Sequence, residues 1–227
     1  MILSVHQPQY LPWIGYFHKI YKSDAFVFLD NVQYKAREYQ NRNRIRIKEG
    51  CMWLTMPVLK SDNPYPNISD VRIDNFQDWR KRHWRAICVN YSPSPFFAKY
   101  SGFFEEAYKK EWALLVDLNV SVINYILDSL KINKPIYFES NLNVETKNTQ
   151  RIIDICKAVK ADTYLSGIGG RDYLEEGLFG ANGIKLIYQD FRHPEYSQRY
   201  APFMPFMSII DLLFNHGPDS LKILAGE

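Results

Sequence analysis

Cysteine is scarce in this chain. Cys51, Cys88 and Cys156 are the only three in 227 residues, and they share neither metal-knuckle nor disulfide-loop spacing. A cysteine-based metal site and a disulfide scaffold are therefore excluded, and reduced, packed thiols are expected. Cys51 and Cys88 stay open as nucleophiles. Excess charge of one sign is also missing: 28 Lys and Arg stand against 25 Asp and Glu, a net charge of +3. That total does not describe a strongly basic nucleic-acid binder. No apolar run approaches the roughly twenty residues that span a bilayer. No basic segment precedes the first apolar run, so no signal peptide is expected and the predicted location is the cytoplasm. The chain carries no Gly-x-Ser-x-Gly elbow, no His-Glu-x-x-His helix, no internal repeat and no low-complexity tract, which excludes the hydrolases built on those motifs.

What is present begins at the first residue. Ile2-Leu3-Ser4-Val5 is a short β-branched run that stops in His6-Gln7-Pro8-Gln9-Tyr10-Leu11-Pro12-Trp13, a buried strand opening into a stiff polar loop. From Trp13 to Tyr21 apolar residues recur at helical spacing, with Pro12 suited to a first turn that needs no N–H there. Ala25 to Asp30 is a second strand. Strand, helix and strand in about thirty residues make a βαβ unit, and ligands of such sheets bind outside the carboxyl ends of the strands. The two candidate ends are His6-Gln7 and Asp30-Asn31.

Positive charge gathers in the first half: Lys35, Arg37, Arg42, Arg44, Arg46 and Lys48, then the run Arg80 to Arg82 and Arg85. Such clustering favours an anionic ligand, a phosphate or a sugar nucleotide. Alternation over 40–47, a turn at Gly50 and a return over 51–58 predict a hairpin, with Arg42, Arg44 and Arg46 on one face turned to a cleft or to water. Residues 61–67 read as a turn-rich mobile loop and 70–74 as a short strand. Helices are predicted over 76–91, 97–112 and 113–130, the first two divided by Ser92-Pro93-Ser94-Pro95. Strands at 136–138, 163–166 and 184–188 then alternate with helices at 146–160 and 172–179. A last helix over 206–214 is stopped by Asn215-His216-Gly217-Pro218. The fold class is α/β: a Rossmann-like, mainly parallel sheet drawn from both ends of the chain, interrupted by a β-hairpin and a helical insertion. One domain over 1–227 is expected, with the hairpin and strand insertion at 31–75, the helical segment at 76–131 and the return to α/β at 132–227.

Each residue that could carry chemistry has a structural counterpart reading. His6, at a strand end beneath a helix, can accept a proton or donate to a phosphate, or it can tie down the loop. Lys19 is either a site cation or solvent-facing. Asp30 can orient a base or bind a hydroxyl, or it can cap the following turn. Asn41, Arg42, Asn43 and Arg44 offer planar forks for phosphate or carboxylate, or form an exposed strand face. Trp79 and His83 share a helix face, where His83 is a second candidate site histidine. Gln7, Tyr10 and Trp13 crowd the first unit. Ser166-Gly167-Ile168-Gly169-Gly170 follows a strand, where glycines let backbone amides approach a phosphate. Its spacing matches neither the dinucleotide fingerprint nor the Walker A loop, so a plain glycine turn stands beside that reading.

The stretch His6 to Ile20, followed by Phe28-Leu29-Asp30-Asn31-Val32-Gln33-Tyr34 and Asn41-Arg42-Asn43-Arg44-Ile45, closely resembles the WbqC-like family. The similarity continues through Trp79, His83 and Tyr91, then Tyr164 to Gly167 and Ser208 to Pro218, and so covers essentially the whole chain. The resemblance implies bacterial O-antigen or other surface-polysaccharide gene clusters and, for some members, a glycine transferase role. It brings no established catalytic residues. Under that implication, His6 takes the proton of a deoxyamino-sugar amine attacking an activated glycyl carbonyl. Asp30 orients His6, Asn43 and Arg44 hold the anionic end, and Tyr10, Trp13 and Trp79 cover the sugar or base. Gln33 joins the substrate-binding candidates. The donor is either glycyl-tRNA or an adenylate made from ATP, and the partner is a nucleotide sugar or glycan precursor. No metal is expected. Two other readings stay open: a nucleotidyltransferase-like adenylating enzyme, although the paired-histidine signature is absent after His6, and a non-catalytic binding protein of a polysaccharide complex.

Overall fold

The structure, a computed structural model, describes residues 1–60 and 62–227. The predicted mobile loop at 61–67 therefore falls partly outside the described residues.

Strands β1 (Ile2–His6) and β2 (Ala25–Phe28) flank helix α1 (Ile14–Tyr21). The β1 interior and all of β2 are buried, as the β-branched and aromatic run requires of a strand covered on both faces. Trp13 is the N-cap of α1, and Leu11 before it sits at φ 45°. The loop is thus a bend of its own, and Pro12 precedes the first helical turn. The hairpin forms as predicted, from β3 (Arg42–Ile47) and β4 (Gly50–Thr55), a separate antiparallel pair in which Arg44 faces Trp53. Gly50 turns it at φ 106°, a conformation that side chains rarely adopt.

Helices α2 (Trp79–Tyr91), α3 (Phe97–Lys109) and α4 (Leu115–Ser129) follow. Then come β5 (Ile136–Phe138), α5 (Asn148–Ala158), β6 (Thr163–Ser166), α6 (Glu176–Ala181) and β7 (Lys185–Tyr188). Helices α7 (Ile209–His216) and α8 (Ser220–Ala225) close the chain. The five long-range strands form one parallel sheet in the order β5-β2-β1-β6-β7. The chain winds from β1 through β2 to β5, then returns to the other side of β1 with β6. This α/β sheet flanked by helices, with its added hairpin, is the Rossmann-like class expected.

Alternation in β1 and β2 divides the core. Leu3, Val5, Ala25 and Val27 pack with Ile153, Ile155 and Phe179 on one face. Phe26 and Phe28 meet α1, the middle helices and α7 on the other, where Phe104 and Phe214 lie.

Three local expectations change. Residues 70–74 form no strand: a 3-10 turn covers Ile68–Asp70, and only single bridges, Val58 to Ile73 and Arg72 to Leu114, follow. The helix predicted at 172–179 splits into a 3-10 turn over Ile168–Asp172 and α6. The last predicted helix starts three residues late because Ser208 caps it, accepting from Ile210 N at 3.4 Å, while Phe206 sits at φ 62°. The stop over Asn215 to Pro218 holds, since α7 ends at His216, but Pro218 then lies in a 3-10 turn that leads into an unforeseen short helix, α8. Residues 189–207, between β7 and α7, form a strap without regular helix or strand.

Arg46 departs most from its sequence reading. It shares the hairpin face with Arg42 and Arg44 yet is only 2% exposed, with its guanidinium donating to the carbonyls of Ile47, Gly50, Tyr200 and Pro202. The strap covers that end of the face.

Candidate functional site

The winding of the sheet reverses between β1 and β6, and a crevice opens there at the carboxyl ends of the strands. Two adjoining cavities of about 330 Å³ each occupy it, sharing His6, Lys19, Gly167 and Gly169. Gln7, Ser166 and Tyr173 line one, and Trp13, Gln189 and Asp190 line the other.

Lys19 projects from the inward face of α1 and is 4% exposed. Its Nζ donates to the Val5 carbonyl at 3.0 Å, and among the described residues it has no carboxylate partner. Desolvation lowers its pKa to about 7. A near-neutral amine therefore lies in the crevice, poised to exchange a proton close to physiological pH.

His6 closes β1. Its Nδ1 lies 3.2 Å from the Gln7 carbonyl. Because a carbonyl only accepts, Nδ1 carries the hydrogen and Nε2 the lone pair. Burial first, and the Lys19 charge second, lower its pKa to about 3, so the ring is neutral at pH 7. The Tyr16 ring supports it at 4.9 Å.

The glycine turn after β6 divides into two kinds of position. A Cβ on Gly170 would lie 2.0 Å from Ser166 Oγ, so close packing requires that glycine. Neither Gly167 nor Gly169 has a positive φ, and a Cβ on either would meet nothing within 4 Å. Packing does not explain those two, whereas a ligand lying against the backbone would. Ser166 is buried, with its hydroxyl donating to the Gly167 carbonyl.

Trp13 forms an aromatic wall with Phe191, at 5.4 Å, and Phe206, at 5.6 Å. It leaves no room on its helix, since a Cβ on Gly15 would approach the indole to 2.3 Å. We expect Gly15→Ala and Gly170→Ala to cost about 1–3 kcal/mol each in thermal or denaturant melts, as overpacking does. Gly169→Ala should leave stability unchanged and impair activity alone. A destabilised Gly169→Ala variant would show that the turn is packing, not cradle.

The remaining sequence candidates lie elsewhere. Asp30 lines neither cavity, and both its oxygens accept from Ser140, from the backbone N–H at 3.0 Å and from Oγ at 2.7 Å. It caps the turn after β5. Beside it, buried Glu139 has its carboxyl pushed up by desolvation, opposed by Arg151 at 3.3 Å. His83 meets the Tyr10 hydroxyl at 2.9 Å, packs on Trp79 and is lowered to about 4, chiefly by burial. Tyr10, Trp79 and His83 thus form a buried aromatic cluster with Tyr108 rather than a ligand wall.

Asn43 holds the loop after β1, donating to the Leu11 carbonyl at 2.7 Å and accepting from Arg44 N. Asn41 donates to the Met56 carbonyl. Arg42 and Arg44 flank the Trp53 indole, at 4.4 and 5.5 Å, and Arg44 also reaches the Phe206 carbonyl. Gln33 lines a separate cavity. Of the three thiols none lines the crevice, and burial pushes Cys88 up and Cys156 to about 12, which disfavours thiolate.

Sequence reasoning missed two supports. Gln189 directly follows β7 as Gln7 follows β1, a placement the strand-end rule would have flagged. Its amide donates to the Gly15 carbonyl and to His18 Nδ1, both at 2.9 Å. Asn119, buried in α4, donates to the carbonyls of Pro8 and Gln40. Gln40 in turn donates to Gln7 Oε1 at 2.6 Å. An Asn in a largely apolar helix carries no local sign of that task. Among the described residues, no cluster of three or more His, Cys, Asp or Glu could hold a metal, and no helix is long and apolar enough to cross a membrane.

An uncharacterized protein of Mycobacterium tuberculosis, Rv1507c, is 33% identical over 225 residues, covering 97% of both chains. No solved structure matches. The model of the WbqC-like protein family matches residues 7–223, so the span from the loop after β1 into α8 is shared. The chain belongs to the WbqC-like protein family.

Proposed function

We propose that this protein is an acyl transferase of surface-polysaccharide (O-antigen) biosynthesis, passing a glycyl group to the amine of a deoxyamino sugar or its nucleotide. The observation that carries this reading is the convergence of Lys19, His6 and the open glycine turn on one crevice at the sheet's switch point. The acceptor amine attacks the glycyl carbonyl and forms the C–N bond. Its proton passes to neutral Lys19 Nζ, whose pKa of about 7 suits that exchange better than the strongly lowered imidazole. The His6 Nε2 lone pair accepts a hydrogen bond from the amine and aims it. Backbone N–H groups of the turn beginning at Gly167 face the developing oxyanion. The bond to the leaving group, AMP from an adenylate or the terminal ribose hydroxyl of tRNA, breaks as the carbonyl re-forms. In this assignment Lys19 takes the proton-accepting role first considered for His6, while Asp30, Asn43 and Arg44 support the fold around it.

The test is mass spectrometry of amino-sugar nucleotides incubated with the protein and glycine, with ATP in one arm and glycyl-tRNA supplied in another. The expected product is heavier by one glycyl residue. Pyrophosphate release requiring both glycine and ATP selects the adenylate, and dependence on charged tRNA with a steep salt response selects tRNA. No acylated sugar in any arm overturns the proposal.

A further inference from the structure

A cavity larger than either half of the crevice lies elsewhere. It measures about 810 Å³ and lies between the segment after β2, residues 33–36, and the insertion residues 58–60, 62–66 and 70–72. That volume falls within the range of small-molecule sites. Its apolar side is made by Val58, Leu59, Val71, Pro64, Pro66 and Tyr65, a residue that is 67% exposed. Flat, stiff groups of this kind receive a planar ring face-on with little loss of side-chain entropy.

Three cations, Lys35, Lys60 and Arg72, line the same cavity against two carboxylates, Asp62 and Asp70. Among the described residues, none of the three has an ion pair or a side-chain hydrogen bond. Among the described residues the buried Tyr34 hydroxyl has no partner, a costly state for a polar group. Arg42 is close enough to lower the Tyr34 pKa against the larger, raising effect of burial, and its own Nε is also buried without a partner. One unmet hydroxyl, an aromatic and proline wall and three unpaired cations therefore surround one space, with Arg42 outside its lining.

We propose that this cavity binds a nucleoside phosphate, with the base against Tyr65 and the prolines, the phosphates on Lys35, Lys60 and Arg72, and the Tyr34 hydroxyl meeting a polar group of the ligand. This site is distinct from the crevice and independent of the transfer reaction proposed there. Guanidinium and ammonium groups suit a multiply charged phosphate head, and the apolar wall rewards the ring.

Isothermal titration calorimetry of the full chain with uridine 5′-diphosphate tests it, with uridine and inorganic pyrophosphate as the separated halves. Saturable binding is expected, with each half at least about tenfold weaker. Lys60→Ala/Arg72→Ala should weaken the diphosphate at least about tenfold, and Tyr34→Phe about fivefold without lowering the melting temperature. Absence of binding at millimolar diphosphate overturns the inference, as does unchanged affinity in Lys60→Ala/Arg72→Ala. Loss of binding in Lys19→Met with full affinity in Lys60→Ala/Arg72→Ala places the nucleotide in the crevice and equally overturns it. Glycyl transfer is measured separately, so either conclusion can fail alone.

Discussion

Lys19→Met is expected to reduce glycyl transfer by about 10²–10⁴-fold, the span of a lost general base, with no loss of thermal stability. Methionine matches the length of the buried stem, and among the described residues the hydrogen bond given up is that to the Val5 carbonyl. The pH dependence separates a proton acceptor from a spacer. Lysine's ordinary value is 10.5 and the folded value about 7. Between these values the unfolded chain holds a proton that the folded chain does not, so stability rises with pH through this window. The contribution is fully present above lysine's ordinary value and is lost as pH falls toward about 7. Its slope is at most about 1.4 kcal/mol per pH unit. Relative to Lys19→Met, the wild-type protein should therefore gain stability from neutral to mildly alkaline pH. Readings belong below the tyrosine range, because buried Tyr10, Tyr16 and Tyr91 titrate at raised values. Transfer should rise with a midpoint near pH 7. The His6 midpoint, about 3 and depressed in part by the Lys19 charge, should move upward in the variant by NMR titration. Full transfer by Lys19→Met would remove the lysine from the chemistry.

The largest expected loss of stability comes from Arg46→Ala, about 3–5 kcal/mol by chemical denaturation, the scale of breaking a buried charged network. The guanidinium holds two carbonyls at the hairpin turn and two in the strap. Its backbone N–H donates to the Tyr91 hydroxyl at 2.9 Å, which donates to buried Asp211 at 3.0 Å. Asp211 also accepts from Gln198 of the strap at 2.8 Å. Alanine leaves the carbonyls without donors and removes the positive charge that helps hold the Asp211 carboxyl down against its burial. The strap brings Phe191 and Phe206 against Trp13, so proteolysis within 189–207 should accelerate and activity should fall with stability. Arg46→Lys should recover only part of the loss, since an ammonium has no planar fork. A cost below about 1 kcal/mol would show that the strap is held by its aromatic contacts instead.

The sequence alone determined the alternation of strands and helices, the hairpin, the division of β1 and β2 between two core faces and the placing of His6 at a strand end. These follow from backbone periods of 2 and 3.6, which act over a few residues. Tertiary structure decided which polar groups meet in the crevice. The contacts of Arg46 with Pro202, of Asp30 with Ser140 and of Tyr10 with His83 span 156, 110 and 73 residues. No local period encodes them. Arg42, Arg44 and Arg46 share one strand face, yet only Arg46 is withdrawn from water, because the strap closes over its end of the hairpin. Lys19 could equally have faced solvent by its spacing. Packing of α1 buried it instead and lowered its pKa, since desolvation depends on what covers a group and not on its neighbours along the chain.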